Sequence, residues 1–272
     1  MLHTTSKFLS FSALAFAVLS GPSFAETSCD LSDGYGLTPA AFLEEADSCL
    51  EGVEGIKTDT FTSTELSRLA SDQRNANGLD QVEALDSLSE AARLHAYDLA
   101  FRGYAAHEDL EGRTHLDRVR MIDRSHLISS FGANVVVVKA GTSPEAIQKV
   151  LLADRANASN FKRGEFNHMG IAAVEADGMI YVVELFARVD GQLDTPMPMT
   201  AVPRMNLAAN FGDKLEPVGW SVVSASGQTL MRGLGNKLPS TLPYIEEGFL
   251  QMDVEIGKDV YTLKGPAISS SL

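Results

Sequence analysis

The stretch LHAYDLAFRGYAAHEDLEG, residues 94–112, is the turning point of the chain. Leu94, Tyr97, Leu99 and Phe101, with Ala92, Ala96 and Ala100, recur at helical spacing and predict one apolar helix face. Arg93, Asp98 and Arg102 are left for water. Gly103 ends the helix, and the chain turns out through Tyr104 to His107. A histidine just past a buried helix, among Glu108, Asp109 and Glu111, is a titratable group at the rim of a core. His107 is therefore a candidate site residue.

Upstream, Ser87-x-x-Glu90 has the form of a capping box for this helix. An earlier helix is expected from near Ser63, carrying Leu66, Leu69 and Ala70 inward and fraying at Asn77-Gly78. Downstream, residues 108–130 are charged and irregular, with a short helix at His115–Ile122. The run Val135–Val138 lies between Gly132 and Gly141 and predicts a strand buried on both faces. Ser143-Pro144-Glu145 opens a helix through Ile147, Val150 and Leu151, with proline at its first position. Residues 170–176 and 179–188 are two strands joined by Asp177-Gly178, a strong hairpin turn. Helices and strands in this order predict an α+β layered domain over 61–189.

DTPMPMTAVPR carries three prolines within residues 194–204, so 190–202 is expected to be a Pro-rich linker. Apolar and polar residues alternate from Leu250 to Ile256, a half-buried strand. Further strands are expected at 219–225 and 260–263, with Ser226-Gly227 as a turn. The segment 203–272 is thus a small all-β C-terminal module of sandwich-like character. Nothing in it has a catalytic motif; Gly233-Leu234-Gly235 is too short and too late for a dinucleotide loop.

Residues 1–25 have the form of a signal peptide. Lys7 precedes an apolar run from Phe8 to Leu19, and Ser23-Phe24-Ala25 is a small-x-small cleavage step. The mature chain is expected to be exported, periplasmic or extracellular, without an integral membrane span. Without Lys7, 21 basic residues face 36 acidic ones, a net charge of −15 that repels phosphate backbones and excludes nucleic acid as a partner. Cys29 and Cys49 are the only cysteines. In an oxidising compartment they are expected to form one bridge within the N-terminal segment 26–60. That pairing rules out a Cys–His nucleophile, and no Gly-x-Ser-x-Gly elbow is present.

In this order the features resemble the bacterial CAP (SCP-like) superfamily of cysteine-rich secretory, antigen and pathogenesis-related proteins. SDQRNANGLDQVEALDSLSEAARLHAYDLAFRGYAAHEDLEGRTHLDRV is similar to the family's opening half. FGANVVVV occupies the place of its Gly-Glu-Asn segment, and SNFKRGEFNHMGIAAVEADGMIYVVELFA that of its closing part. The resemblance spans about residues 62–188 and implies an α-β-α sandwich with a cleft. The family cleft carries two histidines and two acids that can hold a divalent cation. Carried over, the first histidine is His107, while the Gly-Glu-Asn acid falls on Ala133 and the second histidine on Asn157. Asp154 stands for the second acid, Leu151 for a nearby aromatic, and Glu184 for a strand glutamine.

A family-type zinc site is built on at least three well-placed protein ligands, so it is not expected here, and neither is a cofactor. The resemblance implies an exported, non-catalytic binding module for a lipid, peptide or cell-envelope component, with His107, Asp154, Asn157 and Glu184 lining the cleft. Glu184 has a plainer reading as a buried carboxylate paired with a basic neighbour. The alternative function is an envelope-acting hydrolase with His107 as base and Asp154 or Glu184 as its acidic partner, which requires a carboxylate within hydrogen-bond reach of His107. His115, with the acids before it, reads as part of a solvated charged loop rather than a ligand set. His95 packs inside its helix, His168 precedes a strand as a structural residue, and neither it nor His126 has an assignable partner.

Overall fold

The computed structural model describes residues 35–36, 38–50, 53–212 and 214–271. The expected signal peptide and Cys29 lie outside the described residues; Cys49 is buried. Helix α1 (Pro39–Leu50) is followed by a short strand β1 (Lys57–Thr58) and by α2 (Thr60–Ala76), whose first turn is capped by the Asp59 carboxylate on Thr62 N. Strand β2 (Glu83–Ala84) leads into α3 (Asp86–Arg102) and then α4 (His115–Ile122). The expected Ser87–Glu90 box is not formed. The N-cap of α3 is Leu85, without a side-chain bond, because Ser87 Oγ turns to the Asp123 carboxylate and Glu90 pairs with Arg93. At the other end Gly103 adopts the left-handed conformation (φ 69°) that stops the helix.

Strand β3 (His126–Lys139), helices α5 (Pro144–Ala153) and α6 (Arg155–Asn160), and the hairpin β4 (His168–Ala176)–β5 (Met179–Leu193) complete the first part. Asp177 and Gly178 both have positive φ, 49° and 73°, as the two-residue turn requires. Strands β1, β4, β5 and β3 lie side by side. On one face α1, α3 and α4 pack Phe42, Leu88, Ala92, Leu99, Val119 and Met121 against Ala172, Val174, Val183 and Leu185. On the other, α2 and α5 pack Leu66, Ala70, Ile147 and Leu151 against Ile171, Ala173, Val182 and Phe186. The result is an α-β-α sandwich. Val135–Val138 are only half-buried, rather than buried on both faces, and Phe101 and Val150 are exposed.

The C-terminal region is strand-rich, as expected, but it continues the same sheet instead of making a sandwich of its own. Strands β6 (Ala209–Phe211), β7 (Glu216–Val223), β8 (Thr229–Gly233), β9 (Ile245–Ile256) and β10 (Asp259–Ser270) follow in turn. The sheet runs on from β3 through β10, β9 and β7 to β8, with Lys264 opposite Ile128 at the junction. Strand β5 reaches Leu193, and Met197 and Ala201 are buried in a third core with Trp220, Leu250 and Met252. The proline-rich stretch is therefore packed down, not free. Two arginines from α4 and the residues after it fasten the join. Arg120 donates to the carbonyls of Gly265 (2.6 Å) and Leu250 (2.7 Å), and Arg124 to those of Met197 (2.9 Å) and Ala267 (2.7 Å).

Candidate functional site: a histidine chain at the end of α3

Beyond Gly103 the loop folds back over α3, so that His95, His107 and His115 come together. His95 lies in α3, 1% exposed, and its Nε2–H donates to the Ala106 carbonyl at 3.0 Å. The edge of its ring meets His115 (ring centres 4.8 Å apart), and His115 in turn meets His107 (5.3 Å). The Arg118 guanidinium donates to His115 Nδ1 at 2.9 Å, to the His107 carbonyl at 2.8 Å and to the Arg113 carbonyl at 2.6 Å.

The proton positions follow from these donors. A guanidinium can only donate, so His115 Nδ1 accepts and the His115 proton sits on Nε2. That Nε2–H donates to His107 Nδ1 at 3.1 Å. His107 is thereby held as the Nε2–H tautomer, with the exposed edge of its ring a donor. Burial, reinforced by Arg118, pushes His95 down to about 3 and His115 far below the usual imidazole range. Both stay neutral near pH 7.

Within the loop expected to be solvated, Asp109, Arg113 and His115 are buried. Asp109 Oδ1 accepts from Arg113 N at 2.7 Å, while Oδ2 lies 3.6 Å from Arg118 and 3.8 Å from Arg113. Burial raises the Asp109 carboxyl. Asp98, expected to face water, is 2% exposed and chelated by Arg102 (2.5 and 2.7 Å), which also grips Glu111 (2.6 and 2.9 Å). Tyr104 donates to the same aspartate. Sequence periodicity missed this because α3 is covered by the sheet on one side and by α1 and α4 on another.

The other candidates sit in the layer across the sheet. Glu184 projects from β5 on the side of Val182 and Phe186, fully buried, and its register partner is Asn134. Asn134 Nδ2 donates to Glu184 Oε2 at 2.9 Å, and Asn160 Nδ2 donates to Asn134 Oδ1 at 2.7 Å. The partner is thus an amide, not the expected basic residue, and burial raises the carboxyl to about 7. Asp154 caps α6, accepting from Asn157 N at 2.8 Å. Asp154 and Asn157 are brought together, and Asn160 on the same helix links to Glu184 through Asn134; His107 is joined instead to His115 and Arg118. Among the described residues no carboxylate takes the His107 ring hydrogen bond.

Residues 68–186 match the Cysteine-rich secretory protein family, CAP. The chain carries a CAP domain. The CAP domain holds every candidate named above, and the C-terminal strands lie outside it. Solved structures with which the chain aligns include an outer surface protein from Borrelia burgdorferi, at 18% identity over 49% of this chain and 97% of that one, TM-score 0.43. An extracellular protein containing an SCP domain from Bacillus anthracis aligns at 16% identity over 47% of this chain and 40% of that one, TM-score 0.40. Venom allergen-like protein 4 of Schistosoma mansoni aligns at 13% identity over 47% and 89%, TM-score 0.37. Comparison with curated proteins gives no match.

Among the described residues no helix is long and apolar enough to cross a membrane, and no three His, Cys, Asp or Glu side chains stand together as a metal shell. Surface cavities in the C-terminal region include two that His107 does not line. One, of about 720 Å³, is lined by Val218, Trp220, Arg232 and Leu234. The other, of about 580 Å³, lies where the CAP domain meets the C-terminal strands, lined by Ser130, Arg188, Leu215, Val254, Ile256 and Tyr261.

Proposed function

We propose that this is an exported CAP-domain protein that binds a cell-envelope component, a lipid or a peptide, and performs no chemistry on it. One observation carries this reading: His107 is locked as an Nε2–H donor by the His115–Arg118 chain. A general base needs a lone pair aimed at its substrate. His107 presents a proton instead, and the two acids offered as partners are engaged elsewhere, Asp154 on a helix end and Glu184 with Asn134. Such a group recognises a carbonyl, carboxylate or hydroxyl oxygen. Export, by way of the signal peptide at 1–25, and the Cys29–Cys49 bridge belong to the same reading.

Retention on isolated bacterial envelopes tests it. The protein is expected to co-sediment without releasing soluble fragments. His107→Gln, which keeps a side-chain N–H, should retain binding that His107→Ala loses. Release of fragments that stops in His107→Ala would establish the hydrolase instead. The junction cavity favours a second reading, in which the C-terminal region holds the ligand: apolar walls of this kind suit binding without catalysis. Ile256 is 41% exposed at its rim. If Ile256→Asp abolishes retention and His107→Ala does not, the ligand sits at that junction.

A further inference from the structure

Two histidines that the histidine chain does not use lie at the starts of two strands, His126 on β3 and His168 on β4, with β5 between them. Their ring centres are 6.4 Å apart. Each is pinned through the same nitrogen. His126 Nδ1 donates to Asp123 Oδ2 at 2.8 Å, and the Asp123 carboxylate is itself fixed by the backbone N–H groups of Ser125 (2.9 Å) and His126 (2.7 Å) and by Ser87. For His168 the orientation follows from the amide of Asn167. Asn167 Nδ2 donates to the Val189 carbonyl and Oδ1 accepts from Val189 N, both at 2.8 Å, so Oδ1 is the atom facing His168 Nδ1 at 2.8 Å. That oxygen can only accept. The His168 proton is therefore on Nδ1.

Both neutral rings then carry their lone pair on Nε2. A ligating histidine is oriented in this way, by an acceptor that takes its other N–H. With metal–nitrogen bonds of about 2.0–2.1 Å, two imidazoles on one ion place their ring centres roughly 5–6 Å apart. A closure of about 1 Å brings the observed 6.4 Å into that range. Glu83, the register partner of His168 on β2, adds negative charge beside the pair. The described residues supply no ready third ligand, so solvent completes the shell.

We propose that His126 and His168 form a two-imidazole surface site for a nitrogen-preferring divalent cation, zinc or copper, with both Nε2 atoms as ligands. This site is separate from His107 and does not rest on the binding function proposed above.

The test is a zinc titration of the untagged full-length protein at pH 7.5, with magnesium as the oxygen-preferring control. One zinc per chain and no magnesium are expected. His126→Ala and His168→Ala should each weaken uptake at least tenfold, and His107→Ala should leave it unchanged. Because His126 anchors the Asp123 turn, wild-type protein is also followed by NMR: substoichiometric copper should broaden the ring signals of His126 and His168 before those of His107 and His115. No zinc uptake up to millimolar concentration, uptake lost in His107→Ala but kept in both other variants, or broadening that begins at His107 would each overturn the proposal.

Discussion

The two helical layers of the CAP domain each bury a polar cluster against the same sheet, and the clusters are built on opposite principles. Under α3 and α4 the histidines are held neutral by burial and by Arg118, so they resist gaining a proton. In the other layer Glu184, bonded to Asn134, is also pushed toward its neutral form, so it resists losing one. Burial favours the uncharged state in both, but for a base and an acid that gives opposite pH dependence. One layer is weakened by acid and the other by alkali.

The largest effect should come from separating these two responses. Below pH 6.5 the unfolded chain binds protons that His95 and His115 refuse, so stability falls by about 1.4 kcal/mol per histidine per pH unit. Between 4.5 and about 7 the folded chain keeps a proton on Glu184 that the unfolded chain has lost, so stability rises as the pH is lowered through that window. Over pH 7 to 5 the histidines lose about 4 kcal/mol and Glu184 returns about 2–3. Urea unfolding should therefore show a shallow net loss in the wild type. Glu184→Gln should show the full loss of about 4 kcal/mol. At pH 8, where wild-type Glu184 is charged in both states, the same variant should be more stable than wild type by about 3 kcal/mol.

Close packing separates the layers as well. A methyl group at Gly170 would lie 2.2 Å from Ser89 N and 2.3 Å from Leu88 C, backbone atoms at the first turn of α3 that cannot yield. One at Gly132 would meet the ends of two side chains, Asn160 Oδ1 at 2.5 Å and Phe166 Cζ at 2.9 Å. Gly170→Ala should destabilise by about 3 kcal/mol and Gly132→Ala by about 1 kcal/mol in thermal or urea unfolding. A reversed order would show that α3, not α6, is the layer able to shift. The smallest effect expected is at a helix end. Asp154→Ala removes the cap of α6 and should cost about 1 kcal/mol, with the binding of envelopes unchanged if Asp154 only caps.

Much of the framework was legible in the residues. The bounds of α4, the stop at Gly103, the proline-led start of α5 and the Asp177-Gly178 turn all follow from local rules that involve a few neighbouring positions. The site was less legible. His126 sits three residues after Asp123 and His168 follows Asn167, yet nothing local says that the two rings face each other across a strand. Asp98, Asp109 and His115 read as surface groups because charge normally seeks water. Here arginines brought from other turns of the chain replace that water: Arg102 at Asp98, and Arg118 at Asp109 and His115.

The sequence by itself determined the main helices and strands of the CAP domain and their order, because helix caps, glycine conformations and turn pairs depend on forces that act within a few residues. Only the tertiary structure decided that the C-terminal strands extend the sheet, since Arg120 and Arg124 reach carbonyls more than seventy residues away. It decided the tautomer of His107 too. A proton's place on an imidazole is set by whichever donor or acceptor the fold brings to its other nitrogen.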